Sequence, residues 1–335
     1  MFQKDTKITV LGDGGWGTTL ALLLAQKGRK VCLWGAFPDY VEQVSRSREN
    51  VKFLPGFKIP ENVTLSARLG DAYGAADVVV LAVPAQFVRS VLEKVRKMPK
   101  KNKRFVIVSK GIETRSLKTL SGVVKELLGN VPLAVVSGPN IAREVALNTP
   151  AAASVASKDR RLAADVRELF STATFRLFES EDVPGLELGG SLKNVIAIGA
   201  GIVEGMGLGA NTRAVFFARG LAEMARLGQK LGAKRETFMG LSGLGDLATT
   251  CLSPQSRNHS LGCEIGRGKK LEDLLKRTEM VVEGVETARS ARRLAKKHRV
   301  AMPISESVYK ILFEKEHPRT ILDALWKGGP KREAD

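Results

Sequence analysis

Three groups of residues in this chain have types and spacings that could do chemistry. In "LGGSLKNVIAIGAGIVEGMG", Lys193 and Asn194 lie within an apolar, glycine-rich stretch of helical periodicity. An ammonium there must snorkel to water, pair with a carboxylate, or face a ligand cleft. A partly buried lysine is suited to pass a proton to and from an alcohol or ketone oxygen. Gly189 and Gly190 thin the same stretch, a cost that calls for something approaching closely. Asp246, between glycines and an apolar run in "GLGDLATTC", would orient a partner such as Lys193, or else cap a helix N-terminus. Ten residues on, Ser256, Arg257 and Asn258 offer a hydroxyl, a guanidinium and an amide in succession. These are donors that clamp a phosphate, at a position that reads as the start of a helix. The third group is Gly12-x-Gly14-x-x-Gly17, after the apolar run "KITVL" and before a helical pattern. That context suits the pyrophosphate of a dinucleotide: Gly12 for the tight turn, Gly14 for close approach, Gly17 for helix–strand packing. An ordinary glycine turn is the competing reading.

The elements that must position these groups change character along the chain. Residues 7–12, 30–35, 63–67, 77–84, 104–111, 131–139, 151–157 and 175–179 read as strands. Amphipathic stretches such as 85–98 and 116–128 separate several of them. Runs of Val, Ile and Leu without alternation predict a parallel sheet covered on both faces. The expected fold is therefore α/β: an N-terminal doubly wound, mostly parallel Rossmann-type sheet, followed by an all-helical C-terminal domain. The expected division gives residues 1–183 to dinucleotide binding and 184–335 to substrate binding and catalysis. Helical patterns there cover 189–203, 211–231, 271–276, 284–298 and 305–313, and the tail 327–335 reads as loose.

The 335 residues suffice for two domains, and 44% hydrophobic content fits an ordinary globular core. No stretch reads as an apolar membrane span, and the start carries no signal region. Cys32, Cys251 and Cys263 are scattered without metal or redox spacing, which fits a reducing cytoplasm. The net charge of +18 is spread along the chain, with short runs such as 97–104 and 293–299. With few aromatics among the basic residues, it reads as a solvated surface that steers small anions rather than as a nucleic-acid site.

Together the segments "GDGGWGTTLA", "SKGIE", "SGPNIAREVA", "GGSLKNVIAIGAGI", "NTRAVFFARGLAEM", "GLGDLATTC", "SPQSRN", "VVEGVETAR" and "MPISESVYKIL" span nearly the whole chain. The chain resembles NAD(P)-dependent glycerol-3-phosphate dehydrogenase of the bacterial type. The resemblance implies an oxidoreductase moving hydride between NAD(P)H and dihydroxyacetone phosphate to give sn-glycerol 3-phosphate, reversibly, feeding phospholipid synthesis in the cytoplasm. It implies Lys193 as catalytic acid/base, also touching substrate, and Lys110 at both substrate and cofactor. Gly138, Asn140, Asp246, Ser256, Arg257 and Asn258 carry over as substrate contacts. Gly15, Trp16, Ala142, Arg257, Val281 and Glu283 carry over as cofactor contacts, beside Gly12, Gly14 and Gly17, with no metal. A homodimer is compatible with this picture.

Two positions depart from the bacterial pattern. Asn140 stands where Thr or Ser is common, and its amide can still donate. After the second strand, where many members carry a basic or His residue, Ala36 and Phe37 neither attract nor repel a 2′-phosphate. The next acid is Asp39, so the choice between NAD and NADP stays open, with discrimination expected within about tenfold. Two other readings are a β-hydroxyacid dehydrogenase-like enzyme, which the phosphate clamp disfavours, and a non-catalytic dinucleotide-sensing or nucleic-acid-binding protein.

Overall fold

The computed structural model describes residues 2–326 except Lys101 and Glu279. The tail 327–335, and Lys101 within the basic run 97–104, lie outside the described residues. The eight apolar runs form β1 (Ile8–Leu11), β2 (Val31–Trp34), β3 (Val63–Ser66), β4 (Val78–Leu81), β5 (Arg104–Ile107), β6 (Leu133–Ser137), β7 (Ala151–Ser157) and β8 (Phe175–Ser180). They make one sheet in the order β3-β2-β1-β4-β5-β6-β7-β8. All neighbours are parallel except β6 and β7. Ile8, Val10, Val78, Val80 and Val106 are buried on one face, and Leu11, Val79, Leu81, Phe105 and Ile107 on the other. Burial on both faces is why these strands carry no polar alternation. The exception has a length cause. Between β6 and β7 lies only the five-residue helix Ala142–Ala146, about 8 Å long, too short to return the chain along the sheet. The next strand therefore runs back antiparallel.

Strand β1 passes into the helix Gly15–Gln26 through the glycine loop. Gly12 has φ of +122°, and a Cβ there would lie 2.7 Å from the backbone of Ala82 and Val83, at the end of the neighbouring β4. A Cβ on Gly17 would lie 1.9 Å from the Gly12 carbonyl oxygen. At Gly14, by contrast, nothing lies within 4 Å of an added Cβ.

The chain divides into two compact units. One runs to Glu187 without Thr114–Leu117, and the other joins Thr114–Leu117 to the chain from Leu188 onward. The division falls inside the helix Val183–Gly205. The second unit is helical among its described residues, with Ala210–Lys230, Asp246–Leu252, Arg257–Gly266, Glu283–His298 and Pro303–Phe313 as its main later helices. Asp246–Leu252 follows a π-helical turn, Leu241–Gly245, and neither was legible in the sequence pattern.

Two sequence expectations change here. The helix Val183–Gly205 is, by length and composition, apolar enough to cross a membrane, contrary to the reading that no stretch qualifies. With 94% of its apolar window buried, it is a core helix. The something that approaches Gly189 is the chain's own backbone: an added Cβ would lie 2.4 Å from the Ser242 carbonyl oxygen. Further along the same helix, a Cβ on Gly201 or Gly205 would lie 2.1 or 2.2 Å from the carbonyls of His259 and Cys263. Gly262 answers from Arg257–Gly266, 2.1 Å from the Ile198 carbonyl by the same measure. The two helices thus cross backbone against backbone, which only glycine permits.

These contacts separate the glycines by role. Gly12→Ala and Gly17→Ala should each lose about 3 kcal/mol in urea unfolding, from backbone strain and overpacking. Gly14→Ala should lose about 1 kcal/mol or less, the ordinary difference between Gly and Ala at an N-cap. Equal losses at all three would show that the close approaches do not set the loop.

Candidate functional site

In the first unit, the chemistry-bearing residues follow the carboxyl ends of β1, β5 and β6. Gly14 caps the helix Gly15–Gln26 with no side-chain hydrogen bond, and no acid stands in the first turn. The N–H groups of Gly15, Trp16 and Gly17 find no acceptor among the described residues. The Trp16 indole N–H is buried and likewise without an acceptor. Bare backbone, open space at Gly14 and unpaired donors at a helix N-terminus fit a dinucleotide pyrophosphate. Asn50 braces this loop from a distance in sequence, its amide donating to the Asp13 carbonyl and to Thr18 Oγ1, both at 2.7 Å. Ala142 packs beside it: a Cβ on Gly15 would lie 3.8 Å from that of Ala142. The Ala142 carbonyl accepts from Thr19 Oγ1 at 3.1 Å.

Lys110, beyond β5, donates to the Gly138 carbonyl at 2.9 Å and to Asn140 Oδ1 at 2.6 Å. The structure thus joins three residues that the sequence reading named separately. Gly138 has φ of +155°, and a Cβ there would lie 2.7 Å from Ala153 Cα on β7. Asn140 Nδ2 is buried and lacks an acceptor, so this cluster ends in an unused donor.

In the second unit, Lys193 is 6% exposed and Asp246 only 1%. They form a direct ion pair. Lys193 also donates to Thr250 Oγ1 at 2.6 Å, and that hydroxyl donates to the Asp246 carbonyl at 2.6 Å. Asp246 is the first residue of its helix and makes no N-cap; Gly245 holds that place. Sequence reasoning missed Thr250, although it stands four residues after Asp246, on the same helical face. Cys251 lies near the pair. Burial, assisted by the Asp246 charge and opposed by Lys193, pushes its thiol up to about 12, so it offers no thiolate nucleophile.

Ser256 caps the helix Arg257–Gly266, its hydroxyl accepting from the His259 N–H at 3.3 Å. The N–H groups of Arg257 and Asn258 have no acceptor among the described residues. The Arg257 guanidinium donates to the Val281 carbonyl at 2.8 Å, just before Glu283 opens the helix Glu283–His298. Asn258 behaves differently from its neighbours. Its amide is buried and engaged on both sides, donating to Asn194 Oδ1 at 3.0 Å and accepting from the Gly284 N–H at 2.9 Å. It ties the lysine helix to the start of Glu283–His298.

Glu204, His259 and Cys263 also meet, as three ligand types within 4.8 Å, a grouping that cysteine spacing alone did not reveal. Arg213 donates at 2.9 Å to the same Glu204 oxygen that faces His259 at 3.5 Å. Cys263 Sγ is 3.8 and 3.9 Å from the two imidazole nitrogens, along neither lone pair. Glu204 is ion-paired with Arg213, and that guanidinium beside the cluster opposes a cation.

Residues 7–163 match the family model described as NAD-dependent glycerol-3-phosphate dehydrogenase N-terminus, and residues 182–323 match its C-terminus. A glycerol-3-phosphate dehydrogenase (NAD(P)+) of Syntrophotalea carbinolica is 46% identical over 331 residues, covering 98% of this chain and 99% of that protein. One from Bacillus subtilis is 42% identical over 332 residues, 98% of this chain and 96% of that protein. The crystal structure of glycerol-3-phosphate dehydrogenase from Coxiella burnetii superposes with a TM-score of 0.94 at 36% identity, over 97% of this chain and all of that one. With its glycine loop, its lysine–aspartate pair and matches along both halves, the chain belongs to the NAD(P)-dependent glycerol-3-phosphate dehydrogenases.

Proposed function

We propose that Lys193 is the acid/base of the reaction the chain carries out as a member of this family, the interconversion of dihydroxyacetone phosphate and glycerol 3-phosphate with NAD(P). The observation that carries this is the lysine's burial against Asp246 and Thr250 on an apolar helix, where a snorkelling role is closed to it. When bound, the nicotinamide supplies or takes the hydride at the carbon bearing the secondary oxygen. In the reducing direction Lys193 Nζ gives a proton to that oxygen as it becomes a hydroxyl. In the oxidising direction the neutral amine takes the proton back. Asp246 and Thr250 hold the nitrogen by two of its hydrogens and leave the third for the substrate.

The substrate phosphate is held by Arg257, the Ser256 hydroxyl and the unpaired N–H groups of Arg257 and Asn258 at their helix start. The Asn258 side chain positions Asn194 and Gly284. In the first unit, the spare Asn140 donor, fixed by Lys110 and Gly138, serves the substrate. The loop of Gly12, Gly14, Gly15, Trp16 and Gly17, with Ala142 and Lys110, serves the cofactor. The resemblance assigns Arg257, Val281 and Glu283 to the cofactor as well. Supply of glycerol phosphate for phospholipid synthesis, in the cytoplasm, is the role that follows, with a homodimer as the assembly to test by light scattering. The guanidinium and helix start at Ser256–Asn258 favour a phosphate over the carboxylate of a β-hydroxyacid.

Two measurements test these roles. Lys193→Ala should lower turnover by about two to four orders of magnitude, with NADH binding retained in a fluorescence titration. Because the change leaves Asp246 buried and unpaired, it should also cost about 3–5 kcal/mol of stability. The Lys193→Ala/Asp246→Ala double variant should recover part of that stability and none of the turnover. Near wild-type turnover in Lys193→Ala would remove the acid/base role. Arg257→Ala should raise KM for dihydroxyacetone phosphate about 10- to 100-fold, as for a lost charged hydrogen bond. At saturating NADH its rate with unphosphorylated dihydroxyacetone should hardly change, and equal losses on both substrates under that condition would contradict the clamp.

A further inference from the structure

The sequence places no acid directly after β2, yet the fold brings one there. Gly35, the residue after β2, has no room for a side chain: an added Cβ would lie 2.2 Å from Asp13 Oδ2 and 2.7 Å from Asp13 Cγ. The Asp13 carboxylate therefore rests on the backbone at the carboxyl end of β2, reaching across from the glycine loop. In dinucleotide-binding sheets this is where an acid accepts hydrogen bonds from the adenosine ribose.

The position of Asp13 is fixed from several sides. Its carbonyl accepts from Asn50 Nδ2 at 2.7 Å and from Thr18 Oγ1 at 3.2 Å. Asn50 is in turn held by Tyr40, whose hydroxyl donates to Asn50 Oδ1 at 2.6 Å. The adjoining Gly12 N–H donates to the Trp34 carbonyl at 2.9 Å, joining the loop to the end of β2. No hydrogen bond or ion pair from another residue reaches the carboxylate among the described residues. Burial pushes its carboxyl up, opposed by its own backbone N–H, as expected of an acceptor waiting for donors. The neighbouring Ala36 carries no charge, and Phe37 is 69% exposed. Lys52 is a cation near Tyr40, its ammonium 5.9 Å from the Tyr40 ring centre and 5.4 Å from that of Phe53.

We propose that the Asp13 carboxylate reads the adenosine ribose, accepting from its hydroxyls and turning away a 2′-phosphate, so that the chain prefers NADH to NADPH. This rests on the dinucleotide site at Gly12–Gly17 and replaces the weak discrimination that Ala36 and Phe37 alone predict. The negative charge of Asp13 would oppose a 2′-phosphate there, with the Lys52 charge engaged over two rings.

The test is a fluorescence titration of the full chain with NADH and with NADPH. The wild type should bind NADH at least about 30-fold more tightly, the scale of a like-charge contact near a protein surface. Asp13→Asn, of the same shape, should cut that preference at least about tenfold, mainly by tightening NADPH. Asp13→Ser, smaller and uncharged, should do the same, which guards against a misfolded first variant. Equal affinities in the wild type, or a preference that survives both substitutions, would overturn the proposal. A wild-type preference for NADPH that Lys52→Ala abolishes would also overturn it and give the selection to Lys52. Failure of both nucleotides to bind would instead strike at the glycine-loop site itself.

Discussion

An ammonium buried in a helical core has to be met by a charge, and much of the second unit is arranged to meet this one. Removing a lysine from water costs several kcal/mol unless a counter-charge and hydrogen bonds replace the lost hydration. For Lys193 the replacement comes from Asp246 and Thr250, two residues one turn apart on a helix more than fifty positions away. That helix can come so close because Gly189 has no side chain where the Ser242 carbonyl passes. The π-helical turn Leu241–Gly245 then leads into Asp246 at the first helical position. A larger residue at 189 would push away the segment that carries the counter-charge, so the glycine of one helix secures the ion pair with another.

What the sequence disclosed, and what it withheld, divides by the range of the interactions. Strands buried on both faces announce themselves as uninterrupted apolar runs, so all eight could be read. The fingerprint Gly12-x-Gly14-x-x-Gly17 is likewise local, and the strand before it and the helix after it stand where its context required. The lysine on an apolar helix was visible as an anomaly, because an unpaired charge there contradicts its surroundings. Direction was less visible: the antiparallel β7 depends on how far a five-residue helix can carry the chain. The partner of Gly189, the brace from Asn50 and the reach of Asp13 to Gly35 are tertiary juxtapositions with no periodic trace. Asp13 is instructive, since it stands in plain view inside the fingerprint. Acids are sought about twenty residues further on, and only the packed loop shows that Asp13 stands against Gly35 at the end of β2.

The two units use a common device for anions. Each presents a helix start that lacks an acidic residue in its first turn and keeps backbone N–H groups without acceptors, at Gly15–Gln26 and at Arg257–Gly266. Their caps differ. The first is bare glycine, with open space where a Cβ would stand at Gly14. The second is Ser256 followed by Arg257, which adds a hydroxyl and a full positive charge, donors of the kind that suit a phosphate. The distributed charge of +18 supplies a long-range field that favours both kinds of ligand.

The backbone-to-backbone crossing of Val183–Gly205 with Arg257–Gly266 also bears on how the chain is made. A nascent Val183–Gly205 segment has the length and apolarity that membrane-insertion machinery recognises. Its glycine face acquires its partner only when synthesis has passed residue 266, roughly 60 residues later, or about 3–12 s at usual elongation rates. During that interval Lys193, still without Asp246, is an uncompensated charge in the middle of the segment. Such a charge costs about 2.5–3.5 kcal/mol at the centre of an inserting helix. The ammonium that ends buried against Asp246 and Thr250 in the folded chain thus also weighs against insertion of the unfinished one.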